Sequence, residues 1–113
     1  MKRSLSRRER LRGRSEIRRV FSAGKSAERK GIKLAYVENN LSWNRIVVCP
    51  ARGFGTSVQR NRHKRICREA YRTLKERIPP GYDIAFVLYP GEYGYRDRLR
   101  QIDSLLDRVG LKR

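Results

Sequence analysis

Three stretches of the chain repeat apolar residues with the period of an α-helix. A serine at position 15 is suited to cap the first of them, and Thr56 or Ser57 can cap the second. The third is closed by Gly110, a residue that favours the left-handed conformation found at helix ends. The predicted helices cover residues 15–23, residues 57 to about 78, and residues 99–109.

Three further stretches are rich in β-branched and aromatic residues and predict strands over residues 32–37, 45–49 and 82–89. The last of these is apolar enough at its centre for burial on both faces. Asn39-Asn40 is a turn signal, so the first two strands are expected to pair as an antiparallel hairpin. Trp43 lies in that turn, where it can pack over the end of the sheet or stack on a base.

The order of elements is helix, strands, helix, strand, helix, without an internal repeat. This order predicts an α+β fold, a two-layer α/β sandwich with its helices over one mixed sheet. A chain of 113 residues has room for one domain, which is placed at residues 15–113. Residues 1–14 hold only three apolar side chains and are predicted to be a basic, flexible N-terminal segment.

The charge of the chain is high and is concentrated in two blocks. The net charge is +18, with 12 basic and 3 acidic residues in positions 1–30 and 8 basic and 2 acidic residues in positions 57–77. Such blocks indicate two contact zones for a polyanion and disfavour an enzyme of small-molecule substrates. The longest fully apolar run, Ile84 to Leu88, is too short to span a membrane, and no signal peptide is evident, so a cytoplasmic location is expected.

Few residues are suited to catalysis. Cys49 and Cys67 lack the spacing of a zinc site and are expected to be reduced core thiols. The single histidine excludes a two-histidine nuclease mechanism, and the aspartates near the C-terminus alternate with arginines as in surface ion pairs. The polypeptide alone is therefore predicted to have no catalytic residues and no metal site.

A run of basic and amide residues opens the helix predicted from residue 57. Guanidinium groups bind phosphates in bidentate fashion, and the start of a helix attracts anions through its free N–H groups. Asn61 can read a ribose 2′-hydroxyl or brace the turn, and His63 is expected on the helix surface, within reach of RNA. A merely solvated basic face is the alternative. The residues predicted to bind RNA are Arg60, Asn61, Arg62, Lys64, Arg65 and Arg68.

This block resembles the RNR motif of the bacterial ribonuclease P protein family. Arg60-Asn61-Arg62 is followed by Lys64-Arg65 and then by Arg68-Glu69-Ala70. The resemblance extends over roughly residues 10–108, because the first helix, the strands and the loop before the basic helix also follow in the family's order. One departure is that the family often has an aromatic residue where this chain has Ala35, whereas the neighbouring Tyr36 is on the opposite face of the strand.

The resemblance implies an α/β sandwich with a left-handed strand–helix–strand crossover. It implies as partner a catalytic RNA, which requires magnesium and removes the 5′ leader of precursor tRNA, while the protein holds no cofactor of its own. The RNR helix would dock on that RNA, and a cleft between the first helix and the sheet would hold the leader. Phe21 would stack on leader bases there or pack into the core, and the same two alternatives stand for Tyr36. The residues implied for the leader are Arg10, Arg14, Ile17, Arg18, Phe21, Tyr36 and Arg52.

Two other classes of function compete with this interpretation. A small ribosomal-type structural RNA-binding protein shares the size, the charge and the mixed α+β layout. A protein-only nuclease is the weakest alternative, because its acid–base residues are missing. Composition does not separate the first alternative from the family role, whereas the RNR block and its position in the chain favour the family role.

Overall fold

Seven regular elements and two short 3₁₀ turns make up residues 5–113, the part of the chain that the computed structural model describes. The elements are α1 (Arg14–Ala23), β1 (Lys25–Arg29), β2 (Ile32–Glu38), β3 (Arg45–Pro50), α2 (Ser57–Leu74), β4 (Tyr82–Leu88) and α3 (Tyr95–Val109), with 3₁₀ turns at Arg7–Glu9 and Lys75–Arg77. All three predicted helices and all three predicted strands are confirmed. The first strand, β1, was not predicted.

The four strands form one mixed sheet in the order β1-β2-β4-β3. The β1–β2 and β2–β4 pairs are antiparallel, and β3 runs parallel to β4. The predicted hairpin of β2 with β3 is therefore wrong, because β4 lies between them. As the most apolar strand, β4 occupies the centre, and its residues Ile84, Ala85 and Phe86 have no exposed surface. The chain passes from β3 through α2 to β4, and the left-handed sense of this crossover stays a prediction.

Helices pack on both faces of the sheet. The face that bears Leu34 and Phe86 is covered by α2 and α3, which contribute buried residues such as Leu74 and Leu105. On the opposite face α1 packs through Val20. The α+β class with one mixed sheet is thus confirmed, and α1 adds a partial third layer to the two that were expected. Within residues 5–113, this second face is covered in part, by α1 and by Leu11 of the N-terminal segment.

Residues 5–13 of the segment that was predicted to be flexible have a defined path in the structure. Leu5 packs into the core cluster beneath α2 and α3, whereas Leu11 packs into the cluster beneath α1. Between them the backbone follows the free edge of β3, where the Leu11 N–H donates to the Ile46 carbonyl. Residues 5–13 therefore pass around this edge and pair with β3 at Ile46, whose carbonyl would otherwise be free. The rest of the predicted flexible segment, residues 1–4, lies outside the described residues.

Trp43 fixes the same segment from the other side. Its indole Nε1 donates to the Arg8 carbonyl over 2.9 Å, and the Arg8 guanidinium lies 4.7 Å from the centre of its ring. The two roles predicted for Trp43 were packing and base stacking. The structure shows the ring packed against the N-terminal segment at Arg8.

The helix ends follow the capping predictions with one exception. The Thr56 hydroxyl accepts from the Gln59 N–H at the start of α2, and Gly110 ends α3 with φ 79°. The exception is α1, whose cap position is Gly13, so that Ser15 lies inside the first turn.

A buried ionic network joins the start of β3 to the start of β4. Asp83 is 2% exposed and accepts hydrogen bonds from Nε and Nη2 of Arg45, both at 2.8 Å, and from Nδ2 of Asn39 at 2.9 Å. The hydrogen bond to Asp83 is the largest of the effects that raise the pKa of Arg45. Nη1 of Arg45 lies 3.3 Å from Glu16, so the same guanidinium also holds α1 against the sheet.

Candidate nucleic-acid interface

The start of α2 presents a cluster of positive charge to solvent. Among the ion pairs within residues 5–113, none involves its six predicted RNA-binding residues, whereas Arg72 and Lys75, farther along, pair with Glu69 and Glu9. Arg60, Asn61, Arg62 and Arg65 are exposed, and Lys64 and Arg68 are half-buried. We call Arg60, Asn61, Arg62, Lys64, Arg65 and Arg68 the α2 basic face.

The local geometry of this helix start favours anions. The first turn contains no acidic residue, and its N–H groups and dipole add partial positive charge to that of the side chains. Asn61 was predicted either to brace the turn or to read a ribose hydroxyl. Thr56 and Gln59 brace the turn instead, because each side chain accepts from the backbone N–H of the other residue. The exposed Asn61 amide is thus available to an RNA hydroxyl.

Arg10 belongs with the α2 basic face and not with α1. It lines a pocket of about 250 Å³ together with Arg12, Lys64 and Arg68. Burial, and to a smaller extent the positive charge of Arg10, lower the pKa of Arg68. The structure thus places Arg10 apart from the other residues predicted for the leader, because residues 5–13 run along the β3 edge and bring Arg10 to α2.

The outer flank of α1 bears four of the residues predicted for the leader. Arg14, Arg18 and Phe21 recur at i, i+4 and i+7 and are exposed, and Ile17 lies between them and the buried Val20. Phe21 is 40% exposed, so the alternative of a core position does not apply to it. We call Arg14, Ile17, Arg18 and Phe21 the α1 flank.

This flank lies beside an uncovered part of the sheet. Glu16 and Arg19, on the other side of α1, contact Arg45 and the Glu38 carbonyl, where β3 begins and β2 ends. At the other end of the sheet, where β3 and β4 finish, the face that bears α1 is half-exposed. Every second strand residue there points toward solvent. The half-exposed residues of this open face are Lys33, Cys49 and Val87.

Of the remaining predicted leader residues, the structure brings Arg52 to this end of the sheet but not Tyr36. Arg52 is exposed in the loop that follows β3. Tyr36 points to the face covered by α2 and α3, where its ring packs edge-on against Tyr82 at 5.9 Å. Of the two alternatives for Tyr36, the structure has the packed one, because residues of a strand alternate between faces and Ala35 is the neighbour that faces α1.

A second cleft next to the α2 basic face was not predicted. It has a volume of about 600 Å³ and lies between the start of α2 and the loop of residues 91–94. Arg62 and His63 line it on the helix side, and Tyr93 lines it on the loop side. The sequence did not predict this cleft because its two walls are far apart along the chain.

Arg98 is the largest departure from the expected surface of α3. It was expected in a solvated ion pair, but it is fully buried beneath Tyr93, with its guanidinium 4.5 Å from the centre of that ring. Its Nη1 donates to the Gly31 carbonyl at 2.8 Å and to Gln101 at 3.0 Å. Glycine is needed at position 31, where a Cβ atom would lie 2.5 Å from the Tyr93 ring. The aspartates of α3 do form the expected surface ion pairs, for example Asp103 with Lys112 at 2.8 Å.

Both cysteines are free thiols, as predicted. Cys67 is fully buried, and burial raises its pKa to about 12. Cys49 is half-buried rather than a core residue, and burial raises its pKa as well. Within residues 5–113 no group of three or more His, Cys, Asp and Glu side chains is placed to hold a metal ion, and no helix is long and apolar enough to cross a membrane.

Comparison with known sequences finds one family along almost the whole chain. The family described as Ribonuclease P matches residues 5–110. A ribonuclease P protein component of Thermoanaerobacter sp. (strain X514) is 40% identical over 72 residues, which cover 64% of this chain and 62% of that protein. The corresponding component of Clostridioides difficile is 30% identical over 100 residues, which cover 86% of this chain and 88% of that protein.

The fold has a solved counterpart. The RNase P protein from Thermotoga maritima superposes with a TM-score of 0.77 at 29% identity, covering 88% of this chain and 96% of that one. Likeness in sequence and likeness in architecture thus point to the same family.

Proposed function

The chain belongs to the ribonuclease P protein family, and from this membership we propose that it is the RNA-binding subunit of a ribonucleoprotein that removes the 5′ leader from precursor tRNA. The hydrolysis and the magnesium ions belong to a catalytic RNA in this proposal, and the complex works in the cytoplasm. The observation that carries the proposal is the α2 basic face, in which five cations surround an exposed amide at a helix start without an acidic partner.

The arrangement of charge supports a division of labour between two surfaces. The α2 basic face docks on the catalytic RNA, where bidentate guanidinium–phosphate contacts fix the orientation of the protein. The α1 flank and the open face of the sheet contact the leader, for which Phe21 offers a stacking surface and Arg14 and Arg18 offer charge. Arg10 and Arg12, at the β3 edge, lie between the two and offset the repulsion of neighbouring phosphates.

The proposed function predicts cleavage that depends on both components. A 5′-extended precursor tRNA is incubated at low magnesium with the protein alone, with ribonuclease P RNA alone, and with both. We expect the mature 5′ end only when both are present, because a protein of net charge +18 replaces part of the cation atmosphere that two RNAs need at close range. Cleavage by the protein alone would refute the absence of a catalytic centre. Tight binding without stimulation would favour a structural RNA-binding role.

Phe21→Ala is expected to weaken binding of precursor tRNA to the assembled complex about tenfold while leaving mature tRNA unaffected. Loss of one base–aromatic stack has this magnitude, and only the precursor has a leader to stack. The measurement is the dissociation constant of each tRNA from the complex formed with the variant protein.

Tyr95→Ala is the matched control for Phe21. Tyr95 is also 40% exposed but lies on α3, on the other side of the sheet. Its loss is expected to change neither dissociation constant. Equal weakening of both tRNAs by Phe21→Ala would show that Phe21 does not contact the leader.

A further inference from the structure

The cleft beside the α2 basic face has the size and walls of a site for a flat polar ring. Its volume of about 600 Å³ falls in the range of small-molecule sites. Apolar surface comes from Phe54, Ile66 and Tyr93, and hydrogen-bonding groups come from Gln59 and His63. We call this the His63 cleft. Through Arg62, which lines it and is also part of the α2 basic face, the cleft opens directly onto the proposed docking surface.

The walls of the His63 cleft are held in place before any ligand arrives. The Phe54 ring is buried and meets the imidazole of His63 edge-on, with the ring centres 5.0 Å apart. On the other wall Tyr93 lies over the guanidinium of Arg98, and Gly91 leaves room for its ring. Rigid aromatic walls reduce the ordering cost of binding.

The environment of His63 fixes which of its nitrogens carries the proton. Nδ1 has no accessible surface and no hydrogen-bond partner among the described residues, so a proton there would be buried without an acceptor. Burial and the positive charges of Arg98 and Arg62 also lower the pKa of His63 and disfavour the doubly protonated ring. The neutral tautomer that suits this environment carries its proton on Nε2, which is not among the buried atoms without a partner. It offers a hydrogen-bond donor to the cleft.

The charges at the rim distinguish a base from a phosphate as the occupant. The Glu92 carboxylate lines the cleft and repels an anion that enters it, whereas Arg62, on the opposite wall, can hold the phosphate of a nucleotide at the mouth. An uncharged ring with an acceptor on its edge fits between the apolar walls.

We propose that the His63 cleft takes up one unstacked base of the RNA that docks on the α2 basic face, with Nε2–H of His63 donating to an acceptor on the edge of that base. The inference rests on the proposed function, since it assumes that an RNA is bound at this face. It adds a contact to the base of one unpaired nucleotide, at a surface that otherwise binds RNA mainly through charge. Recognition of splayed-out bases in aromatic clefts is typical of RNA-binding proteins.

Three substitutions of His63 test the donor. Phe keeps the aromatic packing against Phe54 but removes the donor, Gln places an amide N–H near the position of Nε2, and Asn places it near the position of Nδ1. We expect His63→Phe and His63→Asn to weaken binding to ribonuclease P RNA about five- to tenfold, and His63→Gln to retain most of the affinity. The slope of log affinity against log salt should not change, because no phosphate contact is lost.

Chemical probing of the RNA with dimethyl sulfate identifies the base. We expect one unpaired nucleotide that is protected by the wild-type protein and becomes reactive when His63→Phe is bound at saturating concentration. Equal affinity of the wild type and His63→Phe would overturn the base contact. So would a loss of affinity with a smaller salt slope, which would indicate a phosphate in the cleft. Failure of the wild-type protein to bind this RNA tightly would instead defeat the proposed function, so the two failures are distinguishable.

Discussion

The triple variant Arg60→Ala/Arg62→Ala/Arg65→Ala is expected to bind ribonuclease P RNA about 100- to 1000-fold more weakly than the wild type. Each guanidinium lost removes a hydrogen-bonded contact to phosphate that contributes about 1 to 1.4 kcal/mol at an exposed site. The loss should shrink as salt rises, because three fewer counterions are released on binding, and the slope of log affinity against log salt should fall by about two to three. Filter binding at several potassium chloride concentrations measures both quantities. Arg60→Ala or Arg62→Ala alone should cause a smaller loss in the same direction.

A second triple variant separates position from total charge. Arg29, Arg96 and Arg100 are exposed at the β1 edge of the sheet and on α3, outside the α2 basic face. Their replacement by alanine lowers the net charge from +18 to +15, as the first variant does. We expect this control to retain most of the affinity. Similar losses in the two variants would show that RNA responds to overall charge and would contradict a docking role for the α2 basic face.

The second large effect concerns stability. Arg45→Met should lower the free energy of unfolding by about 3 kcal/mol, since it leaves the Asp83 carboxylate buried with only Asn39 to donate to it. Loss of one partner of a buried ion pair usually lowers the free energy of unfolding by about 3 to 5 kcal/mol. We expect the lower end of that range, because the Arg45 side chain is partly exposed and water can enter the space that it leaves. For a chain of this size the melting temperature should fall by about 10 °C or somewhat more. Denaturant unfolding followed by circular dichroism measures the change.

Two further variants test the reason for this loss. Arg45→Met/Asp83→Asn removes the stranded charge and keeps an oxygen that can accept from Asn39, so it should cost only about 1 kcal/mol. Arg72→Met breaks an ion pair with Glu69, whose side chain is 45% exposed, and should cost less than about 1 kcal/mol. If the double variant were less stable than Arg45→Met, burial of an unpaired charge would not be the cause.

The elements with a strong apolar period could be predicted from the sequence, and β1 could not. Lys25–Arg29 has a single apolar residue, Ala27, and becomes a strand only because β2 offers it a partner across the Gly31 turn. The pairing of β2 with β3 was predicted from their adjacency in the chain. The stronger signal was the apolar centre of β4, which indicates a central strand and therefore places it between them.

The candidate site also has one part that the local sequence predicts and another part that depends on the tertiary structure. The α2 basic face follows from local order in the sequence, because residues at successive helical positions share one surface whatever else the fold does. Arg10 lies at this surface only because of the path of the N-terminal segment around β3, which the sequence does not show. Strand parity, which the sequence does show, places Tyr36 on the face opposite Ala35. The His63 cleft joins residues about thirty positions apart, so it required knowledge of how the loop of residues 91–94 returns to α2.

The unequal burial of the two thiols gives the wild-type chain a natural attachment point for a spectroscopic reporter. Cys67 has no exposed surface, so a maleimide dye can reach only Cys49, on the open face beside α1. Because burial raises the pKa of Cys49, coupling will be slow near neutrality and faster at mildly alkaline pH, as the thiolate fraction grows. A fluorophore at this position and a second one on the 5′ end of a precursor tRNA would form an energy-transfer pair. The path of the leader could then be followed in solution without introducing or removing a single cysteine.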